Sequence, residues 1–174
     1  MKKDKQAYIG EKSSRNIIDH KIKIGKMNKT KYIFLDIDGI LNTEDSWKIP
    51  YQVSDSRVAL LSDLCKQTKA KIILISTWKT GFSSEYESCT EQIKSLRDCL
   101  KQYDIRIHDI TPSLKGRSRD DEIERYLYFH PCDAYVILDD DISIYKKTKN
   151  MIKVNAKVGL TSQNIKEAKV MLNI

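Results

Sequence analysis

The chain has 174 residues, of which 40% are hydrophobic and 32% charged, and it carries a net charge of +7. That much apolar matter builds one domain core and leaves little for a second. No stretch approaches the ~18 apolar residues of a membrane-spanning helix, and the N-terminal MKKDKQAYIG lacks the apolar run of a secretory signal, so a cytoplasmic protein without a membrane partner is expected.

In chain order, residues 1–29 are a basic leader with nine Lys or Arg against Asp4, Glu11 and Asp19, whereas residues 30–174 hold 22 basic and 21 acidic side chains. The positive charge therefore belongs to the leader and not to the domain at 30–174. Such a leader is either a loose holder of polyanions or a flexible, solvated tail. Lys31 to Leu35 reads as a buried strand, and Ser54 as the N-cap of a helix with Val58, Leu61, Leu64 and Cys65 on one face. KIILIS at 71–76 is a second strand, followed by a helix carrying Ile93, Leu96, Leu100 and Tyr103. IRIH at 105–108 is a short strand, and Ser118 with Asp121 and Glu122 opens a helix that turns Ile123, Tyr126 and Leu127 inward. AYVIL at 134–138 is a strong strand, a weak one falls near Ile152 to Val154, and a helix from about Thr161 to Leu172 follows.

The four cysteines (Cys65, Cys89, Cys99, Cys132) form no CxxC pair and have no histidine spaced as a zinc partner, which makes them reduced fillers of core and helix faces. His20, His108 and His130 are scattered, against a histidine metal site or triad.

Strands that alternate with helices and are apolar on both sides predict an α/β doubly wound layout with a mostly parallel sheet, in which ligands sit beyond the carboxyl ends of the strands. Chemistry-bearing residues gather there. The first strand ends in Asp36-x-Asp38-Gly39, the second in Ser76-Thr77, and the strand at 134–138 in Asp139-Asp140-Asp141. Gly39 makes a tight turn cheap, so both acids of the first group can face one crevice. Carboxylates brought together repel and raise one another's pKa unless a cation is present, and a hard divalent ion such as Mg²⁺ suits their oxygens. Metal, free carboxylate, hydroxyl and cation together suit phosphoryl transfer. The cation comes from TPSLKGRSRDDEI, where Arg119 at the helix start is preferred over Lys115 and then Arg117.

The ordered set FLDIDGILN, IILISTW, TPSLKGRSRDDEI, VILDDD and GLT at 159–161 resembles the haloacid dehalogenase (HAD) superfamily in its phosphatase form, over about residues 31–172. Within it the chain is similar to the HAD domain of Swiss Army Knife RNA repair proteins and to the phosphatase half of polynucleotide kinase-phosphatase. The resemblance implies a Rossmannoid three-layer α/β/α sandwich. It makes Asp36 the nucleophile that forms an aspartyl-phosphate, Asp38 the general acid and then base, Ser76 a binder of a phosphoryl oxygen and Arg119 the charge compensator. Asp36, the main-chain carbonyl of Asp38 and Asp139 would hold Mg²⁺, with Asp140 either a further ligand or a residue that orients the ligands, and with Gly39, Thr77, Trp78 and Lys115 around the substrate.

Too few residues separate the strand-end motifs for a large cap domain, so an open crevice suits a phosphate on a nucleic-acid end (RNA or DNA) or a nucleotide. Trp78, Lys79 and Phe82, and Trp47 and Tyr51 after the first motif, are placed to line its mouth or to pack at the sheet edge. The alternative to a Mg-dependent phosphomonoesterase is a non-catalytic module of the same fold that binds metal, nucleic acid or protein.

Overall fold

The computed structural model describes residues 29–146 and 149–173, so the leader expected at 1–29 lies outside the described residues apart from Lys29. Five strands form one sheet: β1 (Lys31–Leu35), β2 (Lys71–Leu74), β3 (Ile107–Ile110), β4 (Ala134–Asp139) and β5 (Met151–Lys153). Every pairing is parallel, in the order β3-β2-β1-β4-β5. Among the described residues four α-helices cover it: α1 (Asp55–Thr68), α2 (Glu91–Gln102), α3 (Arg119–Phe129) and α4 (Ser162–Met171).

Side-chain alternation along β1 shows how the layers form. Ile33 and Leu35 face one side and join Val58, Leu61 and Leu64 of α1, Ile93, Leu96 and Leu100 of α2, and Ile165 and Ala168 of α4 in one apolar cluster. Tyr32 and Phe34 face the other side, where Ile123 and Tyr126 of α3 complete a smaller cluster with edge-on ring contacts at 5.7–6.1 Å. A strand buried on both faces must be apolar throughout, which is why β1 and β4 carry no polar alternation. The result is the three-layer α/β/α sandwich, with α1, α2 and α4 on one face and α3 on the other.

The helix boundaries follow local chemistry. Ser118 caps α3, accepting from the Asp121 amide while its own amide and hydroxyl donate to the Asp121 carboxylate. This reciprocal box places Arg119 in the first turn. Ser54 does precede α1, but its hydroxyl pairs with Ser56 at 2.9 Å and makes no capping bond. The β3 strand starts two residues later than its sequence pattern indicates. The chain leaves α2 through Asp104 at φ 59°, and the Ile105 amide is still bonded to Leu100 of that helix, so the residue is unavailable to the sheet ladder.

From β1 the chain moves outward through β2 to β3, then crosses back to β4 and β5 on the other flank. The reversal opens a crevice between the carboxyl ends of β1 and β4. No cap domain covers it among the described residues: 36–54 and 75–90 contain only short 3-10 turns at Glu44–Ser46, Thr77–Gly81 and Tyr86–Ser88. Nor is any described helix long and apolar enough to cross a membrane.

Candidate active site

Asp36 is the first residue past β1 and Asp139 the last of β4. The Asp36 amide donates to the Leu138 carbonyl at 2.9 Å, so backbone pairing of the two central strands sets the two carboxylates side by side. Asp140 follows Asp139, and carboxylate oxygens of Asp36, Asp139 and Asp140 lie within 4.8 Å of one another. Burial, then the neighbouring Asp139 charge, pushes the Asp36 carboxyl up to about 7, with Arg119 acting in the opposite direction. Burial and Asp139 also raise Asp140.

Arg119 reaches into this cluster from the first turn of α3. Its Nη1 donates to Asp36 Oδ1 and to Asp139 Oδ2, both at 2.8 Å. Tyr145 donates its hydroxyl to the same Asp139 oxygen at 2.7 Å, and the Asp141 amide holds the other at 3.0 Å. Burial and the Asp139 charge drive the Tyr145 phenol well above its ordinary value, so it remains a donor.

Three clustered carboxylates, when all are ionised, outnumber the one guanidinium by two charges, and the Asp139 charge adds to the larger effect of burial in raising Asp36. Hard oxygen donors with this charge fit a divalent cation of the Mg²⁺ type. Gly39 supports the arrangement twice over. It sits at φ +74°, and a Cβ there would stand 2.6 Å from the Asp140 carboxyl carbon. Only glycine lets the turn close against the Asp140 side chain.

Asp38 stands apart from the three. Its Oδ1 accepts from Asn42 Nδ2 at 2.8 Å and its Oδ2 from Trp78 Nε1 at 3.0 Å. Asn42 Oδ1 in turn accepts from the Gly39 amide at 2.9 Å and from Trp47 Nε1 at 3.1 Å. Neutral donors thus fix both oxygens of Asp38 at the edge of a cleft of about 590 Å³ bordered by Trp47, Tyr51, Trp78 and Asp140.

Ser76 is buried two residues past β2, beside the end of β1 in the sheet register, and its hydroxyl accepts from the Trp78 amide at 3.4 Å. Thr77 is exposed and borders a second cleft of about 470 Å³, shared with Thr80, Arg117, Arg119 and Glu122. Lys115 stands exposed in the turn before α3, outside the ion pairs of the cluster. Of the three candidate cations, Arg119 is the one brought to the acids.

The side chains named for the mouth divide. Trp78 is a buried member of the apolar core that also borders the first cleft, and Phe82 packs against the same core. Lys79 is only 6% exposed: its Nζ meets Glu122 Oε2 at 2.5 Å, Thr111 Oγ1 at 3.1 Å and the Pro112 carbonyl at 3.3 Å. Glu122 also accepts from the Leu114 amide at 3.1 Å, so one ion pair ties the ends of β2 and β3 to α3. Asn42, Glu122 and Tyr145 carry site contacts for which the sequence assigned no role. Asn42 and Glu122 lie within the strand-end and helix-start motifs, and Tyr145 lies outside them.

Residues 32–165 match the family described as the HAD domain in Swiss Army Knife RNA repair proteins. Comparison of the chain with curated proteins and with solved structures finds no match.

Proposed function

This chain belongs to the family of HAD domains in Swiss Army Knife RNA repair proteins, and from that premise we propose that it is a Mg²⁺-dependent phosphomonoesterase acting on nucleic-acid ends or nucleotides. The observation that carries the reading is the pairing of Arg119 with Asp36 and Asp139 at 2.8 Å, next to a separately anchored Asp38. This supports a reading in which one carboxylate attacks and another, on a different set of hydrogen bonds, moves protons.

In this mechanism Asp36, ionised, attacks phosphorus, and the bond from phosphorus to the leaving oxygen breaks. The departing electron pair stays on that oxygen, which takes a proton from Asp38. Asp38, now a carboxylate, accepts a proton from water as the water oxygen attacks the aspartyl-phosphate. Asp36 is regenerated and inorganic phosphate released. Arg119 balances charge on Asp36 while it is ionised and on Asp139 throughout, and Ser76 offers its hydroxyl to a phosphoryl oxygen. Asp36, Asp139, Asp140 and the main-chain carbonyl of Asp38 would hold Mg²⁺, which supplies neutralisation of the phosphoryl charge.

The test is phosphate release from an aryl phosphate, nucleoside monophosphates and 3′- or 5′-phosphorylated oligonucleotides, with and without Mg²⁺. Metal-dependent release is expected from the wild type and not from D36N. Full activity in folded D36N overturns the mechanism. Silence across the panel with metal binding intact favours the binding-module alternative.

A further inference from the structure

We propose that the cleft bordered by Trp47, Tyr51 and Trp78 is the seat of a nucleoside leaving group, and that Trp47 couples its occupancy to Asp38. The inference rests on the phosphatase reading, because Asp38 marks the leaving-group side only if it is the proton donor.

Position is the first argument. Asp38 and Asp140 line the cleft, so a group departing toward Asp38 departs into it. Exposure is the second. Trp47 is 50% exposed and Tyr51 45%, and neither belongs to the apolar core, which closes without them. Tyr51 also holds φ +60°, a conformation costly for a bulky side chain and retained mainly where surroundings or function require it.

The lining chemistry selects the occupant. Flat aromatic faces suit a planar base, the Gln52 and Gln92 amides offer donors and acceptors to its edge, and Asp140 and Asp141 accept from sugar hydroxyls. No lysine or arginine among the described residues lines the cleft, so it suits the neutral nucleoside itself and leaves any further phosphate of a polymer outside. A neutral nucleoside whose single transferable phosphate sits at the aspartates fits those terms.

The coupling runs through three hydrogen bonds already named. Trp47 Nε1 donates to Asn42 Oδ1, which also takes the Gly39 amide, and Asn42 Nδ2 donates to Asp38 Oδ1. A base resting on Trp47 therefore loads the same amide that orients Asp38. Trp47 and Asn42 are positioning residues in this scheme.

Two measurements test it. In the first, adenosine and uridine, which carry no phosphate, are titrated calorimetrically into wild type and W47A. Binding to wild type that weakens in W47A supports the cleft, and equal affinities, or no binding to wild type, overturn it. In the second, kcat and KM are measured for a nucleoside monophosphate, a phosphorylated oligonucleotide and glycerol phosphate. W47A is expected to raise KM for at least one of the nucleotide substrates roughly ten-fold more than for glycerol phosphate. W47F, which keeps a ring and loses the N–H, is expected to hold KM and lower kcat several-fold. An effect on both nucleotide substrates assigns the seat to any terminal nucleoside, and an effect on one identifies the source. Equal KM changes on all three substrates overturn the proposal. Nucleoside binding without turnover of any phosphate by wild type sinks the phosphatase reading and with it the leaving-group role, and leaves a nucleoside-binding cleft.

Discussion

Arg119 and Asp36, 83 positions apart in the chain, are joined by a 2.8 Å hydrogen-bonded ion pair, and the same Nη1 spans to Asp139. Two local decisions produce it. The Ser118–Asp121 capping box starts α3 at Arg119, and the β1–β4 register sets Asp36 next to Asp139. Because Arg119 is largely buried, the guanidinium is held in place for the acids and not shared with solvent.

Removing that cation leaves buried carboxylates uncompensated. R119M is expected to lower kcat by about 10²–10³-fold, the range for deleting one preorganised electrostatic contact. It should also destabilise the metal-free protein by about 3 kcal/mol, since breaking a buried ion pair strands its partners. R119K should recover part of both losses, because Lys retains charge without the planar fork. Steady-state assays and urea denaturation check the pair of effects together. Loss of activity without loss of stability would contradict a shared cause.

The elevated Asp36 pKa gives metal-free stability a defined pH slope. The unfolded carboxyl titrates near 3.8 and the folded one near 7, so between these values the folded state binds more protons. Its contribution to stability is fully present below pH 3.8, falls as pH rises from about 4 to about 7, and is gone above. D36N removes the titrating group and is expected to flatten this part of the profile. Added Mg²⁺ should flatten it as well, because it favours the ionised form. Thermal melts from pH 4 to 8, with chelator or with Mg²⁺, provide the check.

The Lys79–Glu122 pair predicts a structural cost with a distinctive signature. K79M strands a buried Glu122 and should cost about 3 kcal/mol, whereas the double variant K79M/E122L, which removes both charges, should recover much of that loss. A double-mutant cycle by urea denaturation measures the coupling. Additive losses would mean that the pair is not what holds β2, β3 and α3 together.

Much of this architecture could be read in the sequence, and the exceptions have a physical pattern. Apolar runs marked the strands because burial on both sheet faces demands them, and the acids at strand ends marked the crevice because Asp36 and Asp139 follow such runs directly. β3 was displaced because Ile105 fits the pattern of a strand residue while its amide is occupied by the end of α2. Lys79 was expected to line the mouth of the crevice beside the second motif. Its buried state depends on Glu122, 43 positions away, and no local rule encodes that partner. Tyr145 is similar: its bond to Asp139 needs the short turn at Ile142–Ile144 to fold the chain back on β4. Asn42 was legible in hindsight as a polar residue one turn after Asp38, but its double acceptance from Gly39 and Trp47 is tertiary.

Gly39 and Gly116 allow one more prediction, in which each position controls for the other. Both adopt positive φ, +74° and +71°, so alanine pays a similar backbone cost of about 1 kcal/mol at either. Around Gly116 a Cβ would meet nothing within 4 Å, whereas at Gly39 it would collide with the Asp140 side chain. G116A should therefore lose only stability. G39A should lose stability and also divalent-ion affinity, because Asp140 must move away from Asp36 and Asp139 to admit the methyl group. Calorimetric titration of Mg²⁺ into the two variants separates the effects: at least a ten-fold weaker Kd is expected for G39A, and an unchanged one for G116A. Equal affinities would mean that Asp140 is free to shift without disturbing the ion, and would move it from ligand to bystander.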